Sequence, residues 1–170
     1  MQSLKLCGPD PRPITKEEAL ALSQIAKQLP PNPVIVQIGA YWGVSTAVML
    51  ETRPDAFIFS IDINPCEQEQ QTLFDLELDY LRVVRVLGKS EDIGKHWPYR
   101  CDMLFVDGDH TLLGCLADCN AWLDKTDIAV FHDYMPENAP PKNQVYQVVK
   151  EKFYRQKPII RAGSLIGFKV

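Results

Sequence analysis

No apolar run approaches the roughly 20 residues that cross a bilayer, and the amino terminus lacks a basic segment leading into an apolar stretch. A membrane span and an export signal are both excluded as readings, and a cytoplasmic location without membrane contact is the expectation. The five cysteines, Cys7, Cys66, Cys101, Cys115 and Cys119, are odd in number and form no CxxC pair. They read as small buried hydrophobes or incidental thiols, not as a metal site. There is no Gly/Ser linker, no long block of like charge and no internal repeat, so residues 1–170 read as one domain. A formal net charge of -4 argues against broad contact with a phosphate backbone, so no nucleic-acid partner is expected. With 46% hydrophobic and 24% charged residues, the composition is that of an ordered globule.

Several catalytic signatures are also missing. The chain has no GxGxxG dinucleotide fingerprint, no P-loop ending in GKS or GKT, no GxSxG nucleophile elbow and no HExxH pair. Nicotinamide-linked redox chemistry, nucleotide hydrolysis, serine hydrolysis and the common zinc peptidase mechanism therefore lack support.

What is present is a regular alternation of helix and strand. Thr15 and Glu18 form a capping box ahead of Ala19, Leu22, Ile25, Ala26 and Leu29, and Pro30-Pro31 stops that helix. The short β-branched run Val34–Ile38, open to burial on both faces, reads as a central parallel strand, Phe57–Ile61 as a second buried strand, and Val83–Val86, Met103–Val106 and Ile128–Phe131 as further strands. Helical patterns fall at Ser45–Glu51, Glu67–Leu81, Leu112–Leu123 and Gln144–Tyr154. The tail, with segments near Pro158–Arg161 and Leu165–Val170 around Gly163, predicts an antiparallel hairpin, because the turn is too short for a parallel crossover. A mostly parallel, Rossmann-like α/β sheet follows from this order.

Open α/β sheets bind ligands beyond the carboxyl ends of their strands. Gly39, Gly43, Ser45, Asp62, Ser90, Glu91, Asp107, Asp109, His110, His132 and Asp133 all follow predicted strands. Glycines 39 and 43 allow a tight turn beside a ligand, and Ser45 opens the next helix. Asp62 lies close to the roughly 20 residues after the first glycine at which an acid accepts ribose hydroxyls.

On V-I-V-Q-I-G-A-Y-W-G-V-S-T from Val34, F-S-I-D-I-N from Phe59, G-K-S-E-D from Gly88, D-M-L-F-V-D-G-D-H from Asp102 and I-A-V-F-H-D-Y from Ile128, the chain resembles the class I S-adenosylmethionine-dependent methyltransferases. Within them it is similar to the small-molecule O-methyltransferase-like and cephalosporin-hydroxylase-like group, over roughly Val34 to Asp133. The resemblance implies a three-layer Rossmann-like sandwich, its seven-stranded sheet mostly parallel with an antiparallel last strand. It also implies S-adenosylmethionine as cofactor, with Gly39 and Gly43 beside the methionine portion, Asp62 on the ribose, and Ser90 and Glu91 near the adenine. Many relatives carry an acid close to the end of the first strand, where this chain has Gln37 and Ile38 before Gly39. Many also cover the substrate with amino-terminal helices, a role that a second subunit of a homo-oligomer would fill here.

By the same resemblance, Asp107 and Asp133 are the expected ligands of a divalent cation that binds the oxygen nucleophile of a small-molecule acceptor. His132 stands beside them as a third ligand or a supporting group. Carboxylates favour hard cations such as magnesium, and an imidazole extends the choice to manganese, iron or zinc. His110 is the expected general base, since a neutral imidazole accepts a hydroxyl proton near neutral pH. The loop Tyr134–Asn143 is read as a wall over the acceptor. Two other readings remain open from the residues: a noncatalytic relative that binds the cofactor or a nucleotide, and a metal-dependent hydrolase or oxygenase.

Overall fold

The computed structural model describes residues 1–8, 14–135 and 144–170. Within them α1 (Lys16–Ala26) precedes β1 (Val34–Ile38), α2 (Val44–Thr52), β2 (Phe57–Asp62), α3 (Glu67–Asp75), β3 (Val83–Leu87) and α4 (Ser90–His96). There follow β4 (Cys101–Val106), α5 (Leu112–Trp122), β5 (Thr126–Phe131), α6 (Val145–Lys152), β6 (Ile160–Ala162) and β7 (Leu165–Lys169). The seven strands form one sheet in the order β3-β2-β1-β4-β5-β7-β6. Pairings among β1 to β5 are parallel, whereas β7 runs antiparallel to both β5 and β6. The expected sheet, with its antiparallel hairpin, is the one observed.

Strand periodicity sorts the core into two layers. Ile35, Ile58, Met103, Phe105 and Val130 face a cluster with Leu22 and Ile25 of α1, Val48 and Met49 of α2 and Leu73 of α3. Val36, Ile38, Leu104, Val106, Ala129 and Phe131 face the other way, onto Cys115, Cys119 and Trp122 of α5 and Val148 and Val149 of α6. Four cysteines are buried, Cys66 is partly so, and all five are free thiols. No helix of the described residues is long and apolar enough to cross a membrane.

Two helical expectations change. The pattern from Glu67 to Leu81 breaks at Asp75: Glu77 takes a φ of 56°, and a separate 3-10 turn spans Tyr80–Arg82. Ser90 and Glu91, read as loop residues, open α4 instead. That helix is only seven residues long, too short for its periodicity to register in the sequence.

The topological reversal lies between β1 and β4, the neighbouring strands from which the order runs outward in both directions. Gly39 and Asp107 are the first residues beyond these strands.

Candidate functional site

A cleft of about 510 Å³ opens at that reversal, lined by Gly39, Tyr41, Asp62, Gly88, Ser90, Glu91, Asp107 and Asp118 among others. Its size is that of a small-molecule or cofactor site. A larger apolar groove of about 1320 Å³ lies elsewhere, between the amino-terminal segment, Trp42 and α3. The smaller cleft is the chemical candidate, because the carboxylates converge there.

Gly39 adopts a φ of +87°, and a side chain there would place its Cβ 2.1 Å from the Asp107 carbonyl oxygen. Only glycine lets β1 and β4 stay paired to their ends while the chain turns away. The turn is held by Asp62, whose Oδ2 accepts from the Ala40 N–H (2.9 Å) and whose Oδ1 accepts from the Asn64 N–H (2.8 Å). Burial works against ionisation of Asp62, but these backbone donors outweigh it and hold the carboxyl below its usual range. The Cys66 thiol and the Tyr41 N–H also donate to this carboxylate, so a ribose hydroxyl would take the place of one of these donors.

Gly43 and Ser45 do not line the cleft. Gly43, at φ +72°, faces α3, where a Cβ would come within 2.8 Å of the Glu69 Cα. Its bareness serves close helix packing. Ser45 Oγ donates to Gln37 Oε1 (3.3 Å). Gln37 Nε2 in turn donates to the Gly39 carbonyl (3.0 Å), so the amide at the strand end braces the turn from below. A buried carboxylate does enter this layer, from α3: Glu69 Oε1 accepts from Thr46 Oγ1 (2.6 Å) and Ser60 Oγ (2.7 Å), and burial raises its pKa. Sequence reasoning missed it because Glu69 looks like one more acid in the first turn of a helix.

At the other end of the cleft the Ser90 hydroxyl donates to Asp118 of α5. Asp118 is 3% exposed, and burial pushes its carboxyl up to about 6. It too went unnoticed in the sequence. The available signal was an acid within the buried stripe formed by Cys115, Cys119, Ala121 and Trp122.

The charged cluster lies beyond β4 and β5. His110 Nε2 is 3.1 Å from Asp133 Oδ2 and 3.6 Å from Asp107 Oδ1. Asp107, His110 and Asp133 together offer three ligand atoms within 4.8 Å of one another. Adjacent ligands of a six-coordinate cation, each about 2.1 Å from it, sit about 3 Å apart, a spacing met by His110 and Asp133, and the donor types are those a divalent ion takes. Asp133 takes a φ of 56°, a strained geometry that aspartate tolerates better than most residues. Asp107 raises the pKa of His110 against the opposing effect of burial, and Asp133 adds to the rise. Burial works against ionisation of Asp133, yet the neighbouring His132 holds its carboxyl below the usual range.

His132 is arranged differently from the expectation. Its Nδ1 lies 3.1 Å from Asp107 Oδ1 and 3.3 Å from Asp133 Oδ2, while its Nε2 lies 3.5 Å from Glu18 Oε2. Burial opposes charge on this ring, but the three carboxylates outweigh it and push its pKa up to about 12. An imidazolium has no lone pair for a metal, so His132 supports the cluster without ligating.

The sequence from 36 to 134, more than half of the chain, matches the model of a family described as a methyltransferase domain. The chain belongs to that family. No curated protein matches it in sequence. Among solved structures, the O-methyltransferase of tomaymycin synthesis from Streptomyces achromogenes, in complex with S-adenosylmethionine, is similar at a TM-score of 0.71 and 16% identity, covering 92% of this chain and 81% of that one. A Podospora anserina methyltransferase bound to S-adenosylhomocysteine gives 0.66 and 17%, covering 89% and 77%. An O-methyltransferase candidate from Klebsiella pneumoniae gives 0.73 and 14%, covering 95% and 83%. At these identities the structural likeness establishes the fold.

Within this methyltransferase domain, Gly39, Asp62, Ser90, Glu91 and Asp107 meet in the cleft, and His110 and Asp133 join Asp107 at its end. Of the loop expected to wall the acceptor, residues 136–143 lie outside the described residues. Tyr134 packs against Tyr146, with ring centroids 5.4 Å apart.

Proposed function

We propose that this domain transfers a methyl group from S-adenosylmethionine to a hydroxyl oxygen of a small molecule, with a divalent cation at the acceptor end. The observation that carries the reading is Asp107, which both lines the cleft and belongs to the three-residue cluster. Cofactor and acceptor chemistry would meet at that residue.

S-adenosylmethionine, when bound, supplies a methyl group on a sulfonium centre that needs no covalent enzyme intermediate. Asp62 accepts the ribose hydroxyls, the turn at Gly39 leaves the backbone open to the methionine portion, and Ser90, Glu91 and Asp118 border the adenine end. A divalent cation supplies positive charge that favours the alkoxide form of the acceptor. Asp107 and Asp133 are the carboxylates that would hold it. His110 would take the hydroxyl proton on Nε2, which faces Asp133 Oδ2 at 3.1 Å and Asp107 Oδ1 at 3.6 Å. A cation held by both aspartates would offset the rise that they impose on the pKa of His110. His132, between the two carboxylates, holds them in register.

The test is methyl transfer from labelled S-adenosylmethionine to a panel of hydroxylated small molecules, before and after chelation and after magnesium is restored. Transfer that falls on chelation and returns with magnesium is the expected result. Undiminished transfer in the chelated protein overturns the cation, and absence of transfer across an amine, thiol and hydroxyl panel overturns the activity.

A further inference from the structure

The capping box of α1 does more than start a helix. Glu18 is 4% exposed and makes contacts in three directions. Its Oε2 accepts from Thr15 N–H and Thr15 Oγ1, both at 2.8 Å, which is the cap itself. Its Oε1 accepts from the N–H and Oγ of Ser164, both at 2.7 Å, in the turn between β6 and β7. The same Oε2 then stands 3.5 Å from His132 Nε2. An N3 glutamate on a solvated helix needs only the first of these contacts. Four donors from two separate elements fix this one so fully that its position is set independently of the ring it faces.

The consequence falls on His132. Asp107 and Asp133 both approach its Nδ1, and Glu18 approaches its Nε2. An imidazole held at one nitrogen can tilt, and turning about the Cβ–Cγ bond would bring carbon atoms to the two aspartates. With a hydrogen bond to Asp107 at Nδ1 and the Glu18 carboxylate 3.5 Å from Nε2, it cannot turn without moving both nitrogens away from carboxylate oxygens. The ring is 8% exposed, so water offers little substitute.

We infer that Glu18 is a positioning residue of the acceptor site: through His132 it fixes the carboxylates of Asp107 and Asp133, tying the amino-terminal helix and the β6–β7 turn to the cluster. The inference rests on the proposed function for its consequence in catalysis, but the coupling of Glu18 to His132 is readable without any activity.

The experiment uses the full chain labelled with nitrogen-15 histidine. Only His96, His110 and His132 contribute ring signals. In the wild type, the His132 ring should show a slowly exchanging Nε2–H with a cross-relaxation contact to the Glu18 side chain. Its absence overturns the inference outright and requires no variant. Glu18→Gln should displace the His132 ring signals, weaken Mn²⁺ binding by about tenfold and lower kcat. The affinity for S-adenosylhomocysteine, whose contacts lie at Asp62 and Ser90, should stay within about twofold. Ser164→Ala removes one turn donor without touching the charge, so it should lower thermal stability while leaving the His132 signals and Mn²⁺ affinity unchanged. Equal effects of Glu18→Gln and Ser164→Ala on those two readouts would reduce Glu18 to a structural clasp. A wild type that shows the Glu18 contact but binds neither Mn²⁺ nor S-adenosylhomocysteine would refute the proposed function and leave the coupling standing.

Discussion

Asp118→Asn should stabilise this protein at neutral pH and remove part of its pH dependence. Burial lifts the Asp118 carboxyl from its usual 3.8 to about 6, the Ser90 hydroxyl works in the opposite direction, and Glu91 and Asp109 add to the rise. The folded chain thus holds this proton more tightly than the unfolded chain. Between about pH 4 and pH 6 the folded state binds more protons, and stability falls as pH rises. Above that window the ionised carboxylate costs ~3 kcal/mol, and below it the cost is absent. Asparagine keeps a carbonyl to accept from Ser90 but introduces a buried amide N–H₂, a penalty of about 1–3 kcal/mol that does not vary with pH. The pH-dependent part of the difference is therefore the clean observable. Urea unfolding of both proteins from about pH 4 to about pH 8 should show the variant gaining ~3 kcal/mol relative to wild type across the window, with equal m-values. A difference that stays flat with pH would refute the claim that Asp118 ionises inside the fold.

Two further substitutions test the site and its scaffold. His110→Ala should reduce turnover by about 10²- to 10⁴-fold while changing Mn²⁺ affinity little, which marks a base; collapse of Mn²⁺ affinity measured by calorimetry would make His110 a ligand instead. Gly43→Ala forces a Cβ into the Glu69 backbone from a φ of +72° and should cost at least about 1–3 kcal/mol in urea unfolding. Wild-type stability in that variant would show that α2 and α3 can separate freely at this point.

Most of the fold was legible because its signals are local. The runs at Val34–Ile38 and Phe57–Ile61 are apolar on both faces, and the short turn at Gly163 left no length for a parallel crossover. The family resemblance followed from the residues at the ends of these same strands. The site was only half legible, because pattern reading places residues at strand ends but not the directions of their side chains. His110 and His132 both lie just beyond strand ends, yet His110 brings Nε2 toward the two aspartates while His132 brings Nδ1 to them and turns its Nε2 toward Glu18. Ser45 and Gly43 belong to the right loop but turn toward Gln37 and Glu69. Glu18, Glu69 and Asp118 act across long sequence separations, and each occupies a helix position with an adequate local explanation. Contacts of that kind become visible only when the layers are assembled.

The most direct test of the account is a calorimetric titration of the wild-type protein and of Asp62→Ala with S-adenosylhomocysteine, each first shown by its thermal melt to be folded. Saturable binding of one equivalent to the wild type is predicted, weakened about tenfold or more in Asp62→Ala through loss of a charged acceptor worth about 1.5–3 kcal/mol. No binding by the wild type, or equal affinity in the folded variant, would contradict the assignment of the Gly39–Asp62–Asp107 cleft as the methyl-donor site.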